Sequence, residues 1–404
     1  ALPIYGVGNS HPGFMGWVHG GGTPVGMVAE MLAAGMNANL GGRNQVPLEV
    51  ERQVISWMRE LFSFPADASG VLTAGTSSAT LIALHTARHS ITPPQQRVVA
   101  YASQECHGCI ARALDIIGVG ATALRSISVN SKYQIDTAEL TARITQDRAD
   151  GLTPWLIVGS AGTVNSGAID DLSTLAAVAA SEGAWFHVDG ALGGFAMLSN
   201  KIAPRLRGIE RADSLAMDFH KWAQVPYDAG MVLLRDEAAH YQSFAAHDTY
   251  LQREEQGMAA NTPWPCDYGI DLSRSFRALK VWFTIQAFGK QRLAAVIDQC
   301  CQLAQTLAAM IQQQPQLELA ADISLNIVCF RYRGASDSDH RTIVSHIQHS
   351  GLAAPSLTTL QGRTTIRAAI VNHRTTETEL RNLLSATLNA ITSIEQERAD
   401  AARH

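Results

Sequence analysis

Two short apolar runs constrain this chain more than any other feature. One reads Trp185-Phe186-His187-Val188-Asp189-Gly190, the other Ala216-Met217-Asp218-Phe219-His220-Lys221-Trp222. Each is short for a helix and apolar on both sides, as expected of a strand buried on both faces of a parallel sheet. Each ends in charge. The first delivers Asp189 at its carboxyl edge, and the second delivers His220 and Lys221. Ligands of open α/β sheets bind outside the carboxyl ends of the strands. An acid and an amine offered there suit a cationic ring nitrogen that needs a buried anion and an aldehyde that needs an amine.

The surroundings of these runs predict the fold class. Strand-like and helix-like segments alternate from residue 70 to about residue 234, which argues for a mostly parallel sheet wrapped by helices, with right-handed crossovers. Helices are expected at 25–36, 48–62, 137–146 and 172–180, and strands at 97–102, 124–129, 155–159 and 228–234. Residues 240–269 read as a long irregular loop of the kind used as a lid. A long helix starts within 273–289. Strands at 317–332 and 364–371, with helices near 339–349 and 375–395, predict a smaller α/β unit. With 404 residues the chain is long for one domain, and the expected division is 1–65, 66–290 and 291–404.

Residues 70–84 read as a short strand, a small hydroxyl-rich turn and a helix start. Free N–H groups at a helix N-terminus hold phosphate, and Gly75, Thr76 and Ser77 add donors without bulk.

Taken together, HVDGA and, about thirty residues on, DFHKW resemble the group II pyridoxal-phosphate (PLP) decarboxylases, which include aromatic-amino-acid, glutamate and cysteine-sulfinate decarboxylases. The segments 11–65, 273–289 (with its RALKVW block) and 371–376 (VNHRTT) resemble the same family. The resemblance implies a fold of the aspartate aminotransferase type (PLP fold type I), with a large PLP-binding domain and a small C-terminal α/β domain. It implies that Lys221 holds PLP covalently, that Asp189 faces the ring nitrogen, and that His107 stacks on the ring. It places Gly75, Thr76 and Ser77 at the phosphate. Thr163, Ala191, Asp218 and His220 are expected as further cofactor contacts, although Val164 stands where relatives often carry a second Thr. Arg367 is the candidate clamp for the substrate carboxylate. Asn37, Asn39 and Arg43 fall where relatives line the side-chain pocket, which leaves an acidic or polar substrate open beside an aromatic one. The family's proton-donating tyrosine lies on the lid loop, and Tyr268, or further off Tyr250, is the nearest match. Family members work as homodimers, and the block 1–65 is expected at the active site and the dimer contact.

The implied activity is decarboxylation of an L-amino acid to its amine. Decarboxylation coupled to oxidative deamination, which yields an aldehyde, and transamination are the alternatives. A non-enzymatic role would require loss of Lys221 or Asp189, and both are present.

Net charge of −5 gives no reason to expect a nucleic-acid partner, and no apolar run is expected to span a bilayer. The first residues show no basic-then-apolar secretory pattern, and the chain is expected to begin partway into a longer product. Cys106-His107-Gly108-Cys109 has the spacing of a metal or redox pair, but no second pair accompanies it. It reads as reduced thiols at a helix start, with no metal site, in a cytoplasmic enzyme.

Overall fold

The computed structural model describes residues 7–91, 97–245 and 254–403. Strand β1 (Phe14–Met15) and helices α1 (Pro24–Met36) and α2 (Val46–Phe62) come first. Thr23 caps α1 by accepting from the Gly26 N–H, and Pro24 opens it. Next come β2 (Ser69–Thr73), α3 (Thr76–His89), β3 (Val98–Ser103), α4 (Cys109–Ile116) and β4 (Leu124–Ile127). They lead to α5 (Thr137–Ala149), β5 (Thr153–Ser160), α6 (Leu172–Glu182), β6 (Trp185–Asp189), β7 (Ser214–Asp218), β8 (Gly230–Leu234) and α7 (Glu237–Phe244). The remainder is α8 (Arg277–Gln312), β9 (Leu317–Leu319), β10 (Ile327–Tyr332), α9 (Asp337–Ser350), β11 (Ala354–Leu360), β12 (Arg363–Ala369) and α10 (Glu377–Ala401).

Seven strands form the large sheet in the order β2-β8-β7-β6-β5-β3-β4. The pairs from β7 through β6, β5 and β3 to β4 are parallel, and β8 runs antiparallel to both of its neighbours. The period-two alternation of side chains explains why both faces are apolar. Leu215, Met217, Met231 and Leu233 enter one core, and Ala216, Val232, Leu234 and Leu156 enter the other. The sheet is therefore sandwiched between helices, the doubly covered architecture of PLP fold type I.

Five strands form the small sheet, β1-β11-β12-β10-β9. Here the structure adds to the expectations. Residues 317–332 make two strands, because the chain turns between Leu319 and Ile327. Strand β11 (Pro355, Thr358 and Thr359 within it) lacks an apolar run but pairs along its length with β12. The pairing of Phe14 with Ala354 ties the N-terminal segment to this sheet. Residues 240–269 are not loop throughout, since α7 occupies their start and a short helical turn spans Pro265–Tyr268. Helix α8 kinks at Gly289 (φ 67°). Its length and apolar content would suffice to cross a bilayer. In this fold, however, its Lys280 is buried and pairs with Glu30 of α1 at 2.9 Å, and its Ala278, Val281 and Ile297 are packed in the core.

Candidate active site

Asp189 ends β6, and Lys221 lies in the turn just after β7, the neighbouring strand. Both open into one cavity of about 510 Å³, within the size range of small-molecule sites. Gly75, Thr76 and Ser77 line it from the start of α3, and His107 from the start of α4. Thr163, Ala191, Asp218, His220 and Arg367 line it as well.

Asp218 organises the lysine. Its Oδ2 lies 2.7 Å from Lys221 Nζ, and its Oδ1 accepts from the Thr76 N–H at 2.7 Å. His220 accepts from the Ala229 N–H at Nδ1, 3.1 Å away, so its neutral form carries the proton on Nε2. Burial lowers its pKa, against the nearby Asp218 carboxylate. His107 is set in the same tautomer when neutral, because Nδ1 accepts from the Cys109 N–H at 3.2 Å.

Asp189 is buried, and burial raises its pKa. The Ala191 N–H, 3.0 Å from Oδ1, and the charges of Lys221 and His107 oppose that rise. Its Oδ2 has no hydrogen bond among the described residues.

Three observations test the fit of PLP. The Thr76 hydroxyl is enclosed and has no partner among the described residues, directly at the proposed phosphate turn. A Cβ on Gly230 would stand 2.5 Å from Gly75 Cα, so β8 passes hard against that turn and only glycine keeps it open. The third is the donor set: an amine, a buried acid and a helix N-terminus on one cavity. These residues fit PLP. Thr163 is partly engaged, since its hydroxyl accepts from the Ala168 N–H and lies 3.0 Å from Ser166 Oγ. Arg367 is buried and has no acidic partner among the described residues. Its Nε donates to the carbonyls of Val164 and Asn165, and Nη1 donates to Gly16 O at 3.1 Å. Nη2 makes no hydrogen bond there.

Four expected residues are not brought to this cavity. Helix α1 starts beside it and runs away for 13 residues, about 20 Å at 1.5 Å per residue, so Asn37 emerges as an exposed C-cap. Asn39 accepts from the N–H groups of Gly41 and Arg274. Arg43 lies over the Trp264 ring, 4.8 Å from its centroid. Tyr268 requires a correction. Its hydroxyl donates to Glu237, and its carbonyl accepts from His240 Nε2, whose Nδ1 meets Ser69 at the start of β2. That is the opposite end of the strands, a strand's length of about 16 Å from the lysine. It is not placed to give a proton in this cavity. Tyr250 lies outside the described residues.

The cavity gains residues that were not singled out from the sequence: Trp17, Val18 and His19, inside the block 1–65 expected at the active site, and Tyr227 after the lysine turn. Tyr227 stacks on His220, with centroids 4.1 Å apart. The signal available was Gly20 to Gly22, a flexible stretch where a chain can pass close to another backbone. A Cβ on Gly20 would meet Lys221 O at 2.4 Å, and the Gly20 N–H donates to His220 O. Among the described residues no group of three or more His, Cys, Asp or Glu could hold a metal ion.

Comparison with known proteins agrees with this geometry. The model of the pyridoxal-dependent decarboxylase conserved domain matches residues 3–333. An aromatic-L-amino-acid decarboxylase of Bacillus atrophaeus is 34% identical over 386 residues, covering 93% of this chain and 80% of that protein. A phenylacetaldehyde synthase of Arabidopsis thaliana is 26% identical over 382 residues, covering 89% of this chain and 77% of that protein. The crystal structure of Oryza sativa TDC with PLP and tryptamine superposes with a TM-score of 0.88 at 24% identity, over 96% of this chain and 84% of that one, and supports the fold alone. With its sheet, its lysine and its acid in place, the chain belongs to the pyridoxal-dependent decarboxylase family.

Proposed function

We propose that this PLP-dependent decarboxylase acts on an aromatic L-amino acid, giving the amine and CO2. The observation that carries the reading is the single cavity into which Asp189, Lys221 and the Thr76 turn all open. When bound, PLP supplies the aldehyde for the Lys221 amine and a ring that withdraws electrons from the substrate's α-carbon. Asp189 holds a proton at the ring nitrogen by charge pairing away from water. Thr76 and Ser77 would hold the phosphate, and His107 would cover the ring. Asp218 aims Lys221. Arg367 Nη2 receives the substrate carboxylate. As CO2 leaves, its bonding electron pair stays with the α-carbon, which then takes a proton. Tyr227 is the candidate donor. Burial and Asp218 raise its pKa, so it keeps its proton at neutral pH, and its hydroxyl has no protein partner among the described residues.

Trp17, Val18, Leu192 and Tyr227 give the wall an aromatic and apolar character, which supports an aromatic side chain over an acidic one. Incubating the PLP-loaded protein with aromatic, acidic and basic amino acids, with products identified by mass spectrometry, tests the reading. An aromatic amine is expected; turnover of acidic or basic substrates alone overturns it. The aldehyde-forming reading stays in view for one reason: Tyr268 is bound to Glu237 at the far end of the strands. Release of aldehyde with ammonia would replace the amine reading.

We also infer a homodimer in the cytoplasm. Met27, Val28, Met31, Leu32 and Met36 lie exposed on α1, an apolar face that a second copy would cover. The six cysteines are free thiols, as a reducing compartment would keep them. Light scattering showing an active monomer, or fractionation placing the protein outside the cytoplasm, would overturn these points.

A further inference from the structure

His19 reaches the cavity from the N-terminal segment and has no role in the chemistry above. Three rings frame it: Phe14, Trp17 and Tyr227, with centroids 5.8, 5.5 and 4.8 Å away. They fix the plane of the imidazole. Its Nδ1 is enclosed without a hydrogen-bond partner. Among the described residues its Nε2 has no hydrogen-bond partner either, and the residue lines the cavity.

The protonation state follows from these surroundings. Burial, and then the charge of Lys221, lowers the pKa below 6.5, so the ring is neutral at pH 7. A neutral imidazole carries one N–H. An enclosed N–H without an acceptor is rarer than an under-satisfied acceptor, so the proton belongs on Nε2. His19 thus offers the cavity a neutral donor. Among the described residues the wall offers no free carboxylate to a cationic side chain, since Asp218 is engaged with Lys221 and Thr76, and Asp189 accepts from the Ala191 N–H and would face the ring nitrogen of bound PLP.

We propose that His19 determines specificity: its Nε2–H donates to an oxygen on the substrate's aromatic ring, so that a phenolic amino acid is preferred over its unsubstituted counterpart. The inference rests on the aromatic-substrate reading. A neutral donor matches a phenol oxygen, which accepts. It cannot neutralise a side-chain carboxylate, and it has nothing to accept from an indole N–H.

The experiment compares wild type, His19→Phe and His19→Gln, all loaded with PLP. It measures kcat and KM for tyrosine and phenylalanine, and calorimetric binding of their product amines, tyramine and phenethylamine. A neutral hydrogen bond gives a preference of about 3- to 10-fold. Wild type should show that preference for tyrosine and tyramine. His19→Phe keeps a ring for the stack, so its preference should collapse toward one, with the loss carried in KM. His19→Gln places a carboxamide N–H near the Nε2 position and should recover part of the preference. If His19→Phe keeps the wild-type ratio, the role of His19 is overturned while the aromatic reading stands. If wild type binds neither amine and turns over neither amino acid, the aromatic reading falls and this inference with it. Should His19→Phe fail to fold, His19→Gln decides: a ratio lower than wild type supports the role only if His19→Ala lowers it further, and equal ratios in both overturn it.

Discussion

The Asp218 carboxylate ties Lys221 to the first turn of α3, with Oδ2 2.7 Å from Nζ and Oδ1 accepting the Thr76 N–H at 2.7 Å. One side chain therefore sets the position of the amine relative to the phosphate turn. Asp218→Asn removes the charge while keeping an oxygen for Thr76. We expect cofactor release to speed up and turnover to fall about 10- to 100-fold, roughly 1.4 to 3 kcal/mol at ~1.4 per tenfold. Dialysis followed by absorbance of the retained cofactor, together with kcat, checks both.

Lys221 is the residue we propose to carry PLP. Borohydride reduction of the loaded protein should leave the pyridoxyl mass on the peptide containing Lys221. A label on Lys280 is not expected, because that amine is buried against Glu30. Finding it there would refute the assignment.

Asp189→Ala should fold, since the strand pairing of β6 does not use its side chain. It should lose the charge that we propose keeps the ring nitrogen protonated. Turnover is expected to fall by at least about 100-fold, or ~3 kcal/mol. Wild-type rates in this variant would remove Asp189 from the mechanism.

Tyr227→Phe keeps the ring on His220 and deletes the hydroxyl. If Tyr227 delivers the proton to the α-carbon, amine formation should fall about 10- to 100-fold, the scale of a lost general acid. Aldehyde and ammonia, assayed separately, should rise as a share of product. Unchanged amine output would move the donor elsewhere.

Stability should fall in mild acid. Burial lowers the pKa of His187 to about 3 and that of His240 to about 4, from 6.5. Between those values and 6.5 the unfolded chain binds more protons than the folded one, so stability is full above 6.5 and is lost as pH falls through the window. Asp170, raised to about 6 by burial, acts in the opposite sense. Comparing wild type with His240→Gln isolates one term. The variant's unfolding free energy from urea titration should change less between pH 7 and pH 5, by up to ~1.4 kcal/mol per pH unit below 6.5 in the wild-type excess. Equal slopes would contradict a buried neutral His240.

Much of the large sheet was legible because burial on both faces leaves an apolar run, and because Asp189 and Lys221 stand where such runs stop. The strand-to-helix junction at Gly75, Thr76 and Ser77, proposed for the phosphate, was legible for the same reason. The substrate wall was not. Asn37, Asn39 and Arg43 were expected there from position along the chain, but α1 carries them away, while Trp17 and His19 reach the cavity from a stretch with no periodicity. Tyr268 was misjudged because counting along the loop says nothing of which end of the strands it returns to. His240 and Glu237 hold it at the end away from the lysine. Strand β11 escaped notice because its stability comes from pairing with β12 rather than from its own residues.

The segment before α1 is gripped at both ends. Arg367 Nη1 holds Gly16 O at 3.1 Å, and the Gly20 N–H holds His220 O at 3.1 Å, with no room for a side chain at Gly20. Only positions 17, 18 and 19 lie between the two grips. The chain thus carries an exchangeable cassette, three side chains on a fixed backbone, whose replacement need not disturb the lysine. A library randomised at those three positions should largely retain cofactor absorbance while its substrate preferences diverge, whereas Gly20→Ala should lose both together.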